Sequence, residues 1–301
     1  MIAADGRAEE GFGHLSRAGA VAAALTECGH VVVACALGAA HDFYRDVAWR
    51  AAATLSDCPQ PRHGGALVVD AYAYGGSSAR AFAPDAVLVM FADGSDRTAG
   101  SDLAISVAAS APGATRVLSG FRYACLRQQF WDLEAGDLAD GARSVLVTAG
   151  ATIAPLDVAD AVSRRSSSLR VRVVSSLPAE TGASVETLVA PPSLRGPLTE
   201  ADVVVTAGGQ TLLEALACGR PTIVLVLAEN QRAQAELAAR EGAAVLVDPP
   251  EPEFVADAVA ELANDPLRRS QLSAAARGLV DGRGARRVAK EVAALVAAGS
   301  P

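Results

Sequence analysis

A histidine stands where the first apolar run of the chain gives way to a helix. Ile2–Ala4 leads into a loop with Gly11 and Gly13, and His14 opens the helix. Glycines let a backbone approach a ligand closely, and the first turn of a helix offers N–H groups to an anion. An imidazole there suits a general base, although helix capping is the simpler role. Arg17, one turn later, points the same way and would bind a phosphate or orient a carboxylate.

A second glycine pair follows an apolar run in the other half of the chain. Val203–Thr206 is predicted as a strand, Gly208 and Gly209 as a turn, and a helix begins at Gln210. The exposed N–H groups of such a helix start would hold a diphosphate, with Thr211 as part of the turn. Glu214, one helical turn further, can accept hydrogen bonds from paired hydroxyls such as those of a ribose. An ordinary strand–turn–helix connection would use the same glycines.

Two amide side chains follow the next predicted strand. Asn230 and Gln231 come directly after Thr222–Leu227, at the carboxyl end of that strand. Amides can hydrogen-bond to a sugar or a phosphate without adding charge. Asn230 is also a residue typical of a helix cap, and the residues alone leave both roles open.

Short valine-rich runs alternate with alanine- and leucine-rich helical patterns along the whole chain. This alternation is typical of an α/β fold with parallel sheets. The clearest helix is predicted over Leu15–Cys28, and further helices are predicted to begin near Pro155, Gln210, Gln231, Glu253 and Leu267. The predicted strands are Ile2–Ala4, Val31–Ala36, Ala66–Val69, Ala86–Phe91, Leu103–Ile105, Ser144–Thr148, Arg170–Val174, Val203–Thr206, Thr222–Leu227 and Ala244–Val247.

The polar segment Asp132–Arg143 divides the pattern into two halves of similar build. We therefore predict an N-terminal Rossmann-like domain over residues 1–140 and a C-terminal one over 141–285, with a last helix over 286–301 that packs back on the first domain. Ligands bind outside the carboxyl ends of parallel strands. Two such domains facing across a cleft would bring the three motifs to one site.

Composition excludes several classes of protein. The chain has 301 residues and a formal charge of −8. It contains no basic tract, which argues against a nucleic-acid partner. It has no long uncharged apolar stretch and no signal-like start, so we predict a cytoplasmic protein without a membrane partner. Its five cysteines are scattered without metal-ligand spacing, and no metal or other cofactor is predicted.

In their order and spacing, the motifs resemble those of the UDP-sugar hydrolase of pseudaminic-acid biosynthesis and of related spore-coat polysaccharide proteins. That group is similar to the MurG-type glycosyltransferases of the GT-B fold. Two segments depart from the family pattern: Phe91–Gly94 keeps one acid of a usual pair, and Ala149–Thr152 replaces a usual Gly-Gly-Ser-Asp. The matching residues are Asp5, Gly11, Gly13, His14 and Arg17, then Asp70-Ala71-Tyr72, Gly208 to Glu214, and Asn230-Gln231.

The resemblance implies a GT-B-like α/β fold and a UDP-sugar substrate. It implies that the diphosphate lies at Gly208–Thr211, with contributions from Gly11 and Gly13, and that Glu214 holds the ribose. His14, assisted by Asp5 and Arg17, would activate water at the anomeric carbon, so that UDP leaves by C–O cleavage with inversion. The residues implied on the sugar side are Tyr72, Asp93, Asn230 and Gln231.

Three functions remain open at this point. A nucleotide-sugar hydrolase is the first hypothesis, since the compact chain leaves little room for a large acceptor. An inverting GT-B glycosyltransferase would use the same donor site, with His14 deprotonating an acceptor hydroxyl. A nucleotide-sugar-binding protein without catalytic activity is the third. The sequence does not specify the sugar, the nucleotide base or the oligomeric state.

Overall fold

A computed structural model describes residues 1–7, 13–38, 47–93, 96–108, 110–134, 136, 138–149, 155–178, 182 and 184–299. The chain divides into two compact units. Unit 1 comprises Met1–Trp131 and Gly282–Pro301, and unit 2 comprises Asp132–Asp281. Gly11 of the predicted site lies outside the described residues, as do Gly94 and residues 150–152 of the two segments that depart from the family pattern.

Unit 1 is built on a parallel sheet of seven strands in the order β3-β2-β1-β4-β5-β6-β7. Its strands are β1 (Ile2–Asp5), β2 (Ala34–Leu37), β3 (Trp49–Ala52), β4 (Ala66–Asp70), β5 (Val87–Phe91), β6 (Leu103–Ser106) and β7 (Arg116–Ser119). Its helices are α1 (Gly13–Glu27), α2 (Gly76–Phe82) and, from the end of the chain, α9 (Gly284–Ala297). Short 3-10 helices cover Leu55–Asp57, Asp96–Thr98, Phe121–Tyr123 and Gln128–Phe130.

Unit 2 is built on a parallel sheet of six strands in the order β10-β9-β8-β11-β12-β13. Its strands are β8 (Ser144–Thr148), β9 (Arg170–Ser175), β10 (Val185–Val189), β11 (Val203–Ala207), β12 (Thr222–Leu225) and β13 (Val245–Val247). Its helices are α3 (Leu156–Arg165), α4 (Arg195–Glu200), α5 (Gln210–Ala217), α6 (Glu229–Arg240), α7 (Pro252–Asn264) and α8 (Pro266–Leu279).

The central strands have both faces covered, which explains their continuous apolar composition. Every residue of β5 and of β11 is buried. Parallel strands with helices on both faces have no solvent side, so they carry aliphatic runs rather than alternating residues. The predicted fold class, two Rossmann-like parallel-sheet domains, is confirmed. None of the described helices is both long and apolar enough to cross a membrane.

Three of the four outer strands are not predicted from the sequence, whereas the fourth, β13, is covered by the predicted strand Ala244–Val247 because its residues are apolar and half-buried. β3 and β7 are the outer strands of the first sheet, and β10 is an outer strand of the second. In each, most residues are partly or fully exposed. An edge strand has a solvated side and needs no apolar run. The predicted strand at Val31–Ala36 also starts too early, since β2 begins at Ala34 and Val31 is exposed.

The polar segment after Trp131 is held by arginines of unit 2. Arg269 donates to the carbonyl oxygens of Ala139 and Asp140 at 3.3 and 2.7 Å, and Arg277 donates to that of Gly136. These bonds attach the segment to unit 2, which begins at Asp132. At the other end of the chain, α9 packs against α1 within unit 1.

The start of α9 has no room for a side chain. A Cβ at Gly284 would lie 2.1 Å from the carbonyl oxygen of Ala124 and 2.6 Å from its carbonyl carbon. We expect Gly284→Ala to lower the free energy of unfolding by about 1–3 kcal/mol, because backbone atoms must shift. Urea unfolding followed by circular dichroism measures the change.

Gly278→Ala is the matched control, since Gly278 is also helical and a Cβ there meets no described atom within 4 Å. It should stabilise the protein by about 0.5–1 kcal/mol, the helix-interior preference for alanine. Equal stabilities for both alanine variants would contradict this account of α9.

Candidate active site

Both sheets reverse their strand order at one internal point, and the candidate site residues follow the strands at those points. In unit 1 the reversal lies between β1 and β4, and in unit 2 it lies between β8 and β11. The loops that leave two such strands diverge to opposite faces, which opens a crevice at their carboxyl ends. His14 follows β1, Asp70 ends β4, and the glycine turn follows β11.

His14 and Asp70 form a buried hydrogen-bonded pair. His14 is the second residue of α1 and exposes 4% of its surface, and Asp70 is equally buried. The imidazole Nδ1 lies 2.6 Å from Oδ1 of Asp70. The side chain of His14 is therefore directed at a carboxylate across the sheet reversal, and helix capping is not its role. No catalytic or binding role is predicted for Asp70 from the sequence, although Asp70 is the first residue of the Asp70-Ala71-Tyr72 motif.

The electrostatics of Asp70 decide the direction of this hydrogen bond. Burial alone would raise the pKa of Asp70, but the adjacent charge of Arg17 holds that pKa well below its ordinary value. An ionised carboxylate only accepts hydrogen bonds, so Nδ1 of His14 must be the donor. Nη2 of Arg17 also lies 3.2 Å from this nitrogen, but two donors form no hydrogen bond. In the neutral imidazole, Nε2 then carries the lone pair.

Arg17 binds two carboxylates at once. Its Nε and Nη2 donate to Asp70 at 2.6 and 2.8 Å. Its Nη1 and Nη2 donate to Asp93 at 2.9 and 2.6 Å. Burial opposes the charge of Arg17, but the two carboxylates raise its pKa well above the ordinary value. In the structure, the hydrogen bonds of Arg17 therefore go to two carboxylates of the protein itself.

The side chains of His14, Arg17, Asp70 and Asp93 together carry a net charge of −1 while His14 is neutral. Arg17 supplies one positive charge against Asp70 and Asp93, whose pKa values are both lowered by Arg17. A proton taken up by His14 brings the sum to zero. The arrangement can therefore hold a proton that is removed from a reacting group.

Tyr72, one of the residues expected on the sugar side, contacts both His14 and Asp93. Its ring meets the His14 ring edge to face at a centroid distance of 4.6 Å, and its hydroxyl donates to Asp93 at 3.2 Å. The guanidinium of Arg97 lies over the Tyr72 ring, 4.6 Å from the ring centroid. Arg97 also donates to the Ala71 carbonyl at 2.8 Å. No motif in the sequence singled out Arg97.

Asp5 lies at the end of β1 with its hydrogen bonds directed to Arg7. The backbone N–H and Nε of Arg7 donate to Oδ1 of Asp5 at 3.1 and 2.9 Å, and Nη2 donates to Oδ2. Burial of Asp5 opposes its charge, but the Arg7 bonds and the nearby His14 lower its pKa. The structure therefore brings Asp5 near His14 while pairing it with Arg7. Gly13 is the first residue of α1.

A metal ion would have to share the space with a guanidinium. Ligand atoms of His14, Asp70 and Asp93 lie within 4.8 Å of one another, the one such group among the described residues. Arg17 donates to both carboxylates in this group at 2.6–2.9 Å. Its fixed positive charge balances the carboxylates and would repel a divalent cation. These residues fit the arginine better than a metal.

In unit 2, the predicted glycine turn forms as expected. The N–H of Gly208 donates to the Leu225 carbonyl at 3.0 Å, Gly209 is the N-cap, and α5 begins at Gln210 with Thr211 next. Glu214 lies on α5 and exposes 2% of its surface. Beside the turn, Thr148 ends β8 opposite Thr206 in the sheet.

The amide side chains of α6 approach this turn from one side. α6 begins at Glu229 with Ala228 as its N-cap, so Asn230 lies in the first turn and is not the cap. Oε1 of Gln231 accepts a hydrogen bond from the Leu227 N–H at 3.3 Å. Gln234, which no motif singled out, donates from Nε2 to the carbonyl oxygens of Gly208 and Gly209. The sequence signal that could have identified Gln234 is its position one helical turn after Gln231.

Comparison with known proteins supports a glycosyltransferase-like fold. Residues 188–292 match the glycosyltransferase family 28 C-terminal domain. No curated protein matches the chain. The fold resembles MurG of Acinetobacter baumannii, with 15% identity, 98% of each chain covered and a TM-score of 0.64. It also resembles the spinosyn forosaminyltransferase SpnP, with 16% identity over 98% of this chain and 99% of that one, and a TM-score of 0.65.

A third similar structure contains a nucleotide. The spinosyn rhamnosyltransferase SpnG complexed with thymidine diphosphate shares 20% identity, with 77% of this chain and 72% of that chain covered and a TM-score of 0.53. The chain thus has the two-domain fold of the GT-B glycosyltransferases, and unit 2 contains most of the segment that matches family 28. The MurG-like part of the resemblance seen in the motifs agrees with these matches.

Proposed function

We propose that this protein transfers a sugar from a nucleoside-diphosphate sugar to an acceptor hydroxyl with inversion at the anomeric carbon. The observation that carries the proposal is the His14–Asp70 pair at the strand reversal of unit 1. A histidine oriented by a buried carboxylate is the usual design of a general base. The family 28 match and the similar glycosyltransferase structures support transfer better than hydrolysis.

In the proposed reaction, Nε2 of His14 takes the proton from the acceptor hydroxyl. The acceptor oxygen forms a bond to the anomeric carbon from the face opposite the diphosphate. The bond between that carbon and the diphosphate oxygen breaks, and the nucleoside diphosphate leaves with the electron pair. Asp70 stabilises the resulting imidazolium, and Arg17 keeps Asp70 and Asp93 ionised and in place. Asp5 and Tyr72 are proposed as flanking groups of the same site.

Unit 2 is proposed to bind the donor. The turn Gly208–Thr211 offers backbone N–H groups at the start of α5, where the helix dipole favours a diphosphate. Such groups also stabilise the negative charge that develops on the leaving diphosphate. Glu214 would accept hydrogen bonds from the ribose hydroxyls. Asn230 and Gln231 on α6 are proposed to contact the sugar.

Hydrolysis is the second candidate, and one observation favours it. His14 exposes only 4% of its surface and lies edge to face with Tyr72. Water is the smallest acceptor that can reach such an enclosed base. The proton transfer, bond formation and leaving group are the same for water as for a sugar or aglycone hydroxyl.

One experiment separates these functions. The protein is incubated with uridine- and thymidine-diphosphate sugars, first alone and then with hydroxylated acceptors, and released nucleotide and sugar are followed by NMR. Release of nucleotide only with an acceptor supports transfer, and rapid release of free sugar supports hydrolysis. Tight binding without turnover in either mixture would overturn both catalytic proposals and leave a binding protein.

Glu214→Ala tests the ribose role. We expect nucleoside-diphosphate binding to weaken by about 1–3 kcal/mol, because charged hydrogen bonds to the ribose are lost. Isothermal titration calorimetry measures the change. The matched comparison uses the 2′,3′-dideoxynucleotide, which has no hydroxyls to lose and should bind the variant and the unmodified protein equally. An equal loss for both nucleotides would contradict the ribose assignment.

A further inference from the structure

The turn between β11 and α5 is held by a side chain from another helix. Nε2 of Gln234, on α6, donates to the carbonyl oxygen of Gly208 at 2.8 Å and to that of Gly209 at 2.9 Å. A carboxamide NH₂ group has two hydrogens, so it can serve both carbonyls at once. Both contacts are acceptors, so the nitrogen of this amide must be the atom that faces the turn.

These two bonds contribute to the orientation of two successive peptide groups. Two backbone bonds act with them: the Gly208 N–H donates to the Leu225 carbonyl at 3.0 Å, and the Leu212 N–H donates to the Gly209 carbonyl at 3.2 Å. In a planar trans peptide, the carbonyl of one residue and the N–H of the next point in opposite directions. With the carbonyls of Gly208 and Gly209 directed at Gln234, the N–H groups of Gly209 and Gln210 point away from α6. Those are the groups at the N-terminus of α5 that would meet a diphosphate.

The turn itself has little intrinsic preference for this arrangement. Two successive glycines adopt many backbone conformations, and a rotated peptide would present a carbonyl oxygen where an N–H is needed. The close approach to α6 also requires glycine, because a Cβ at Gly208 would lie 2.8 Å from the Gln231 carbonyl oxygen and 3.1 Å from the Ala235 Cβ. Glycine allows the turn to reach Gln234, and Gln234 then acts together with the backbone bonds to Leu225 and Leu212 to hold one conformation.

We propose that Gln234 is a positioning residue for the donor diphosphate. It holds the Gly208–Gln210 backbone so that two amide N–H groups are directed at the diphosphate before it binds. The gain is preorganisation, since the turn need not be ordered by the ligand. This proposal rests on the proposed function, because it assumes that a nucleoside diphosphate occupies the turn.

The test compares Gln234→Leu with Glu236→Leu. Glu236 lies on the same helix, is partly exposed, and has its carboxylate 3.7 Å from Arg232. Calorimetry and NMR titration measure the affinity for UDP or dTDP, whichever the unmodified protein binds more tightly, and for the matching nucleoside without phosphates. Thermal unfolding checks that each variant is folded.

We expect Gln234→Leu to bind the nucleoside diphosphate about 10- to 100-fold more weakly, the effect of about two lost hydrogen bonds. Its affinity for the nucleoside should not change, and Glu236→Leu should bind both ligands like the unmodified protein. Gln234→Glu keeps the size of the side chain but cannot donate when ionised, so it should weaken nucleoside-diphosphate binding at least as much.

Three results would overturn the proposal. Unchanged nucleoside-diphosphate affinity in folded Gln234 variants would remove the positioning role and leave the proposed function standing. An equal loss of affinity for nucleoside and nucleoside diphosphate would indicate a general structural role instead. If the unmodified protein binds neither UDP nor dTDP, the donor assignment itself fails, and the positioning role fails with it.

Discussion

Replacement of His14 by alanine is expected to reduce turnover by about 10²- to 10⁴-fold, the usual contribution of a general base. The physical reason is that Nε2 of His14 is the proposed proton acceptor, with Nδ1 bonded to Asp70 at 2.6 Å. The base acts in the transition state, so kcat should fall while the affinity for the nucleoside diphosphate changes little. Steady-state kinetics and calorimetry on the same preparations measure the two quantities.

His63→Ala serves as the control for this experiment. His63 is an exposed histidine of unit 1. Its removal tests whether the loss of any histidine affects expression, folding or turnover, and activity should remain at the original level. Turnover like that of the unmodified protein in His14→Ala would remove His14 from the mechanism.

Asp70→Asn is expected to have an effect of similar size, a fall in kcat of about 10²- to 10⁴-fold by analogy with other carboxylate–histidine pairs. Asparagine preserves the shape of the side chain but carries no charge. The imidazolium formed at His14 would then lose its counter-ion, and an amide NH₂ could turn toward Nδ1 and hold the imidazole in the wrong tautomer. The measurement is kcat at a saturating donor concentration, with thermal unfolding to confirm the fold.

Asp93→Asn is the matched comparison for Asp70→Asn. Asp93 binds Arg17 and Tyr72 but has no hydrogen bond to the imidazole among the described residues. It carries the same charge as Asp70, and its carboxylate also lies within 4.8 Å of the imidazole, so a role through charge alone would reduce kcat in both variants. We expect a clearly smaller fall for Asp93→Asn, because the contact with Nδ1 of His14 is unchanged. Equal falls would contradict the orienting role assigned to Asp70.

The buried strands were predictable from their apolar runs, and three of the four edge strands were not. β5 and β11 are apolar throughout because both of their faces are covered. β3, β7 and β10 have solvated sides, so their residues do not differ from those of loops. Apolar runs report burial rather than strand pairing, and an edge strand pairs without being buried on both faces.

Local sequence also located the two places where a ligand would meet the backbone. A glycine-containing loop before His14 and the Gly208–Gly209 pair before Gln210 each mark a strand that leads into a helix. Strand, turn and helix start are properties of neighbouring residues, which is why their order could be predicted.

What the sequence alone determined is therefore the fold class, the buried strands, the turns and the residue types able to do chemistry. Only the tertiary structure decided the partners: Asp70 lies 56 residues from His14, and Asp93 lies 76 residues from Arg17. The same holds for Gln234, which reaches the carbonyl of Gly208 from 26 residues away. These contacts depend on which strands become neighbours in a sheet, and strand order is set by packing of the whole unit rather than by any local pattern.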